Sequence, residues 1–273
     1  MKIHFLGTGG AFTLKNYHTN FLLEENSKYF LIDAGSDIRF SLRDMGKSYM
    51  DVDSLYVSHL HGDHVYGCEY LGFISYFTPN KDKIKLYGHG TVINRMWDEC
   101  LKGSMGSLQM KVATLDTYFG VHHILANGNF VWEGLTCTPF QSIHVFDGFS
   151  LVPSFGLKVE LPTKESIYYT TDTQSAPAQL MDMYKSVDFI IQDCETSPYK
   201  SGVHANYTDL AELPADIKAK MALTHFADNV IDDNGKITEE WANKAKADGF
   251  YGFIERKTVI DTDHLFMNTE TIR

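Results

Sequence analysis

Short apolar runs closed off by glycine and polar turns dominate the pattern of this chain, and such runs read as buried strands. Residues 2–6 form the first. Residues 19–23 and 29–32 form a hairpin across the polar turn at 24–28. The stretch 50–57 ends in another apolar run, and 84–87 is a further strand. Strands are also predicted at 129–139, 141–146, 188–192 and 221–224, with a hairpin of 151–160 and 165–171 turning at 162–164. Helical stretches are predicted after residue 37 and at 65–74, 90–101, 176–184, 206–213 and 238–247. The tail is predicted to close with short strands at 257–260 and 264–267. Residues 102–123, rich in Gly, Ser and Met with Tyr118-Phe119 at an aromatic tip, have no clear period. They read either as a mobile loop over a site or as a partner-contacting arm. Strands interleaved with helices imply an α/β fold. There is no short repeat, low-complexity tract or linker, so residues 1–273 read as a single domain.

Composition narrows the function classes. The 273 residues, 44% of them hydrophobic, suffice for one sizeable core. No apolar run approaches the roughly 20 residues of a membrane span, and the N-terminal MKIHFLGTGG lacks the layout of a secretory signal. Cys68, Cys100, Cys137 and Cys194 are scattered without C-x-x-C spacing, as expected of reduced thiols in the cytoplasm. Lys and Arg number 24 against 35 acids, a formal charge of −11, and no basic run is visible. A long nucleic acid is therefore not the expected ligand. A small anion remains open, because bound dications would dominate the field at their own site.

The densest chemistry is Ser58-His59-Leu60-His61-Gly62-Asp63-His64, placed between a predicted strand and a predicted helix. Imidazoles and a carboxylate suit zinc and, less selectively, manganese or iron. On a turn, His59 and His61 can aim one way and Asp63 and His64 another, so one loop can serve two adjacent ions. Gly62 is expected to let the backbone turn tightly there. Three later residues each follow an apolar run: His144, Asp172 and His225. Singly they read as a core histidine, a helix N-cap and a satisfied buried imidazole. Asp33, at a strand end before Gly35, can cap the following helix. The glycine turn at 7–10 lacks the lysine and spacing of a P-loop; it reads as turn geometry, with close approach to a substrate as the lesser alternative. The neighbours His122 and His123 would point oppositely on a strand and receive no metal role.

The pattern His-x-His-x-Asp-His, with His144, Asp172 and His225 following in order, resembles the metallo-β-lactamase superfamily. That resemblance implies a four-layer αββα sandwich with two divalent ions, zinc or alternatively manganese. His59, His61 and His144 would hold the first ion and Asp63, His64 and His225 the second. Asp172 would bridge them, and Asp33 would brace the histidine loop from behind. Water acidified between the ions would be the nucleophile. The opening FLGTGGAF and the later pair Glu195 and His204 look like the RNase Z branch. There His204, with its ring held by Glu195, would protonate the leaving alkoxide, and Asp63 counts with these two as catalytic. The tRNA-clamping arm of that branch has no room here, since Asp172 follows His144 by only 28 positions (172 − 144). The runs SHLHGDH, TTDT, QDCE, GVHANYTDL and LTHF resemble the phage-type anti-Pycsar phosphodiesterases. Those are armless homodimers that open cyclic nucleoside monophosphates such as cCMP, cUMP, cAMP and cGMP and so remove an antiphage messenger. Tyr118 and Phe119 would be candidates to stack on the base, including that of a partner subunit's site, or ordinary packing residues at a loop or dimer contact. The rival expectations are a tRNA 3′-endonuclease, another esterase or lactonase on the same metals, or a scaffold without turnover.

Overall fold

The computed structural model describes residues 1–267. The first half of the chain lays down β1 (Lys2–Gly7), β2 (Asn20–Glu25), β3 (Lys28–Ile32), β4 (Ser54–Tyr56) and β5 (Lys85–His89). A two-stranded ribbon, β6 (Ser107–Leu108) with β7 (Lys111–Val112), precedes β8 (Gly120–Ile124). The second half adds β9 (Phe130–Trp132), β10 (Leu135–Gln141), β11 (Phe155–Glu160), β12 (Ser166–Tyr169), β13 (Phe189–Asp193), β14 (Met221–Thr224) and β15 (Gly252–Phe253). Then β16 (Val259–Asp261) returns to pair with β1. Two seven-stranded sheets result, in the orders β16-β1-β2-β3-β4-β5-β8 and β15-β14-β13-β12-β11-β10-β9.

Period-two alternation explains why both sheets are covered on both sides. Phe21, Leu23, Phe30, Ile32 and Tyr56 of the first sheet meet Leu157, Ile167, Tyr169, Phe189 and Ile191 of the second in one inner core. The alternate positions Leu22, Leu31 and Leu55 face outward onto the helices Ile38–Asp44 and Gly67–Phe77. Tyr168, Ile190 and Leu223 face the opposite way onto Pro177–Ser186, Tyr207–Ala211 and Glu239–Asp248. The layers are therefore helix, sheet, sheet, helix, as expected.

Three expectations fail locally. Strand pairing stops at Gln141, so His144 lies in a loop rather than in a strand. Residues 264–267 belong to a helix, Thr262–Met267, whose start is fixed by Asp261 Oδ1 accepting from Asp263 N (3.1 Å) and by Thr262 Oγ1 donating to Met1 O (2.8 Å). Residues 102–123 are not a loop lacking regular structure, although the ribbon leaves Met110 and Val112 exposed, as a partner-contacting arm would. They fold as Lys102–Met105, the ribbon, and Leu115–Tyr118, the last started by reciprocal capping between Thr114 and Thr117. Met105, Leu115, Tyr118 and Phe119 are buried in the first helix layer.

Candidate metal centre

Parallel strands aim their C-terminal ends at one place. In the first sheet β3, β4 and β5 run parallel, and in the second β12, β13 and β14 do. Asp33 follows β3, the turn Ser58–His64 follows β4, Asp172 follows β12, Asp193 ends β13 and His225 follows β14. His144 joins them from the loop after β10. Three of these strand ends carry a non-glycine residue in the left-handed region: Asp33 (φ 60°), Thr171 (φ 51°) and His225 (φ 61°). Such conformations cost about 1–3 kcal/mol each and concentrate at functional sites.

The seven expected ligands come together as two groups joined at one carboxylate. His59, His61, His144 and Asp172 bring ligand atoms within 4.8 Å of one another, and so do Asp63, His64, His225 and Asp172. Asp172 Oδ2 faces His59 Nε2 (3.6 Å) and His144 Nε2 (3.7 Å). Its other oxygen, Oδ1, faces His64 Nε2 (3.2 Å) and His225 Nε2 (3.4 Å). Asp63 Oδ2 lies 3.2 Å from each of these same two nitrogens.

Hydrogen bonds on the far side of three rings set their tautomers. His144 Nδ1 donates to Val203 O (2.7 Å), a pure acceptor. His64 Nδ1 donates to Asp33 Oδ2 (2.9 Å). Ser58 Oγ donates to Asp33 Oδ2 (2.8 Å) and therefore accepts from His59 Nδ1 (3.0 Å). The Nε2 lone pairs of His59, His64 and His144 are thus turned inward, the arrangement a cation needs. His61 presents Nδ1 instead, 3.1 Å from the Nε2 atoms of both His59 and His144. Asp33 also accepts from Ser58 N (2.8 Å) and Tyr169 OH (3.2 Å). Of its two expected roles it fills the bracing one, since the helix Ile38–Asp44 starts at Asp37.

This donor set fits a pair of divalent cations. His64 Nε2, Asp172 Oδ1 and Asp193 Oδ1 are buried without a hydrogen bond, a costly state for polar atoms that a cation relieves. Burial holds His59 and His144 below the ordinary imidazole range, and hence neutral. Burial also pulls on His64 and His225, but Asp172 and its neighbouring carboxylates outweigh it and raise both. In that half a proton occupies ground that a metal ion would take.

His204 stands against this cluster, as expected, but its partner is different. Its Nδ1 bonds Asp193 Oδ2 (2.8 Å) and lies 4.0 Å from Asp172 Oδ2. Burial lowers its affinity for protons, and Asp193 more than restores it, so the net shift is upward. Glu195 does not hold the His204 ring: its carboxylate accepts from Ser201 N at 3.0 and 3.2 Å and shapes the loop beyond. Residue alternation explains the difference. Asp193 ends β13 in register with Thr224, beside the strand end that delivers His225, whereas Glu195 lies past the sheet and pairs with Asn206. Asp193 is the residue of this cluster that the sequence did not single out.

Of the two readings of Tyr118 and Phe119, packing is the one they fill. Both are 1% exposed, and Tyr118 OH donates to Met105 O (2.7 Å). Phe119 lies against Gly72, where a Cβ would come within 3.2 Å of the ring. These are core rings with no face free for a base. Gly62 is needed for space rather than for a left-handed turn: a Cβ there would sit 2.6 Å from the Tyr66 ring. His122 and His123 are both exposed on β8, away from the cluster. Two cavities flank the site region. The larger, about 750 Å³, runs along Gly67–Phe77 and contains none of the cluster residues. The smaller, about 480 Å³, is lined by His204 and His225 together with Gly10, Phe12, Tyr199 and Val203. The glycine turn thus borders the site, in keeping with the lesser of its two readings.

Residues 1–260 match the family model of the anti-Pycsar protein Apyc1. The chain belongs to that family. Its proteins are cyclic nucleotide phosphodiesterases, and the chain is a metal-dependent phosphodiesterase of this kind. It is 29% identical over 238 residues to the anti-Pycsar protein Apyc1 of Paenibacillus harenae, covering 86% of this chain and 94% of the relative. It is 26% identical over 245 residues to the protein of that name from Bacillus phage vB_BsuM-Goe3, covering 86% and 92%. Among solved structures it is similar to a diphosphatase of the PhnP family (TM-score 0.72, 18% identity, 95% of this chain and 97% of the other). It is also similar to the short form of human tRNase Z (TM-score 0.66, 18% identity, 96% and 99%). These likenesses show the metallo-β-lactamase fold. Among the described residues no helix is long and apolar enough to cross a membrane.

Proposed function

We propose that this protein opens cyclic nucleoside monophosphates, such as cCMP, cUMP, cAMP and cGMP, to linear nucleotides at a two-ion centre. His59, His61 and His144 would hold one ion and Asp63, His64 and His225 the other, with Asp172 common to both groups. The observation that carries this reading is the division of Asp172, whose two oxygens face different histidine groups. When bound, such ions lower the pKa of water toward neutrality and offset the negative charge of a phosphoryl group. The protein's own residues supply the rest. Asp33 and Val203 O fix the rings behind His64 and His144, so little reorganisation accompanies reaction. As water attacks phosphorus, one ester P–O bond breaks, and His204 Nε2 gives its proton to the departing oxygen. Asp193 keeps that imidazole oriented and favours its charged form.

Zinc is the proposed metal, because an imidazole-rich set with carboxylates suits it, with manganese as the alternative. The chain is proposed to act as one hydrolase unit over 1–273, to pair as a homodimer and to work in the cytoplasm on a small anionic substrate. Exposed Tyr66 and Phe77 beside the larger cavity support pairing. Residues 268–273 of that unit lie outside the described residues. The test is a panel of cyclic mononucleotides, cyclic dinucleotides and precursor tRNA, each with zinc or manganese and with chelator. Metal-dependent turnover of cyclic mononucleotides is expected. Cleavage of precursor tRNA alone, or of none of them, refutes the reading.

A further inference from the structure

We infer that Phe12 and Tyr199 form the seat for the nucleobase, a role that leaves phosphate chemistry to the metal centre. This rests on the cyclic-nucleotide reading above. The cavity of about 480 Å³ has His204 and His225 on one side and these two rings on its walls. Its volume falls within the range of small-ligand pockets, roughly 300–1,000 Å³. It is continuous with the reacting centre, so a nucleotide whose phosphate meets the ions directs its base into it.

Phe12 is 97% exposed and Tyr199 82%, yet neither rides on a loosely held segment. The turn carrying Phe12 is tied to Asp228, which accepts from Thr13 Oγ1, from Leu14 N (2.7 Å) and from Lys15 N (3.1 Å). Gly10 N donates to Phe226 O (3.0 Å), fixing the turn beside His225. A Cβ at Gly9 would lie 2.8 Å from Thr13, so this tight turn needs glycine. Tyr199 sits in the loop that the Glu195 carboxylate holds through Ser201 N, and its own N–H donates to Ser197 Oγ (3.2 Å). Leaving a large ring in water on an anchored turn beside a catalytic cluster serves stacking, because the ordering cost of the loop is met before the ligand arrives. The exposed rings Phe146 and Phe149 line no part of this cavity.

The wall also predicts that bases of different kinds are accepted. Asp228, Thr13 and Glu195 are committed to the loops themselves, and Thr196 Oγ1 donates to Asn229 Oδ1 (2.8 Å). Few groups remain to read base edges. Stacking without edge contacts accepts purines and pyrimidines alike.

The test compares cAMP and cCMP with the 3′,5′-cyclic phosphate of 1-deoxyribose, which has no base. Phe12→Ala and Tyr199→Ala should each raise KM for both nucleotides roughly five- to a hundredfold, with kcat little changed. KM for the baseless substrate should stay put. Tyr199→Phe should restore the wild-type KM, whereas Tyr199→Leu should not. As a readout apart from turnover, fluorescence of Phe12→Trp should be quenched by AMP and not by ribose 5-phosphate. Unchanged KM in both alanine variants overturns the assignment. So does an equal rise for the baseless substrate, which would mark a loop-shaping role, or a change in oligomer mass at constant KM, which would mark a subunit contact. If the wild-type protein turns over neither nucleotides nor the baseless phosphate, the phosphodiesterase reading falls first and takes this one with it.

Discussion

The two halves of the metal centre share a carboxylate and differ in almost everything else. Around His59, His61 and His144 there are only imidazoles and one oxygen of Asp172, and burial keeps His59 and His144 neutral. Around His64 and His225 stand Asp63, Asp172 and Asp193, with Asp33 behind, and their negative charge holds both rings toward the protonated state. One half offers lone pairs to a cation and the other offers charge. A single ion would be gripped most firmly in the second half, while the first half, with the exposed His61, would be the side open to exchange.

The largest test of that contrast removes what the halves share. Asp172→Ala should lose both equivalents of metal by elemental analysis and abolish turnover. Tight retention of one equivalent would show the halves to be independent. His204→Ala comes next: both ions should stay while turnover falls roughly 100- to 10,000-fold, the usual worth of a general acid. Loss of metal in that variant would instead make His204 a ligand, as its proximity to Asp172 and His225 permits. Asp33→Asn should weaken metal binding by roughly 10- to 100-fold, the range for groups that orient ligands. His61→Ala and Asp63→Ala sharpen the contrast further. Each should lose one equivalent, and the ion left behind in His61→Ala should resist chelator longer. The reverse order would sink the charge argument. The smallest effect separates two acids: Asp193→Asn should lower kcat, and Glu195→Gln should leave it within roughly twofold, since of the two only Asp193 bonds His204, the proposed general acid.

Much of this centre was legible in the chain because its ligands obey a geometric rule. A turn with four donors in six positions announces itself, and Asp172 and His225 each follow an apolar run that became a parallel strand. Asp193 obeys the same rule as the last residue of β13, between the strands that deliver Asp172 and His225, but in QDCE the apolar run does not tell which of the two acids ends the strand. The aromatic pair failed for another reason. Sequence shows that Tyr118 and Phe119 are large and flanked by polar residues; it does not show that a four-residue helix turns them onto Gly72 and Met105. Phe12, in contrast, lies in a glycine-rich turn whose loop character was plain, and only the tertiary contacts with Asp228 reveal that its ring is held in water. Sheet alternation carried the layers because Leu22 and Phe21, or Ile190 and Ile191, divide between two cores. The helix at 262–267 was not legible, because its start depends on Asp261 and on a tertiary bond from Thr262 to Met1 O.

Asp172 also makes metal loading a joint event. An ion beside one oxygen would withdraw electron density from a carboxylate that the neighbouring ion would use, yet it would also displace protons that His64 and His225 hold. Occupancy of the two positions is then thermodynamically linked, and each ion changes the affinity of the other by the same factor. Zinc titrations of this protein should bend away from two identical independent sites, and the enzyme would switch on over a narrower or a wider span of free metal than either position alone would set.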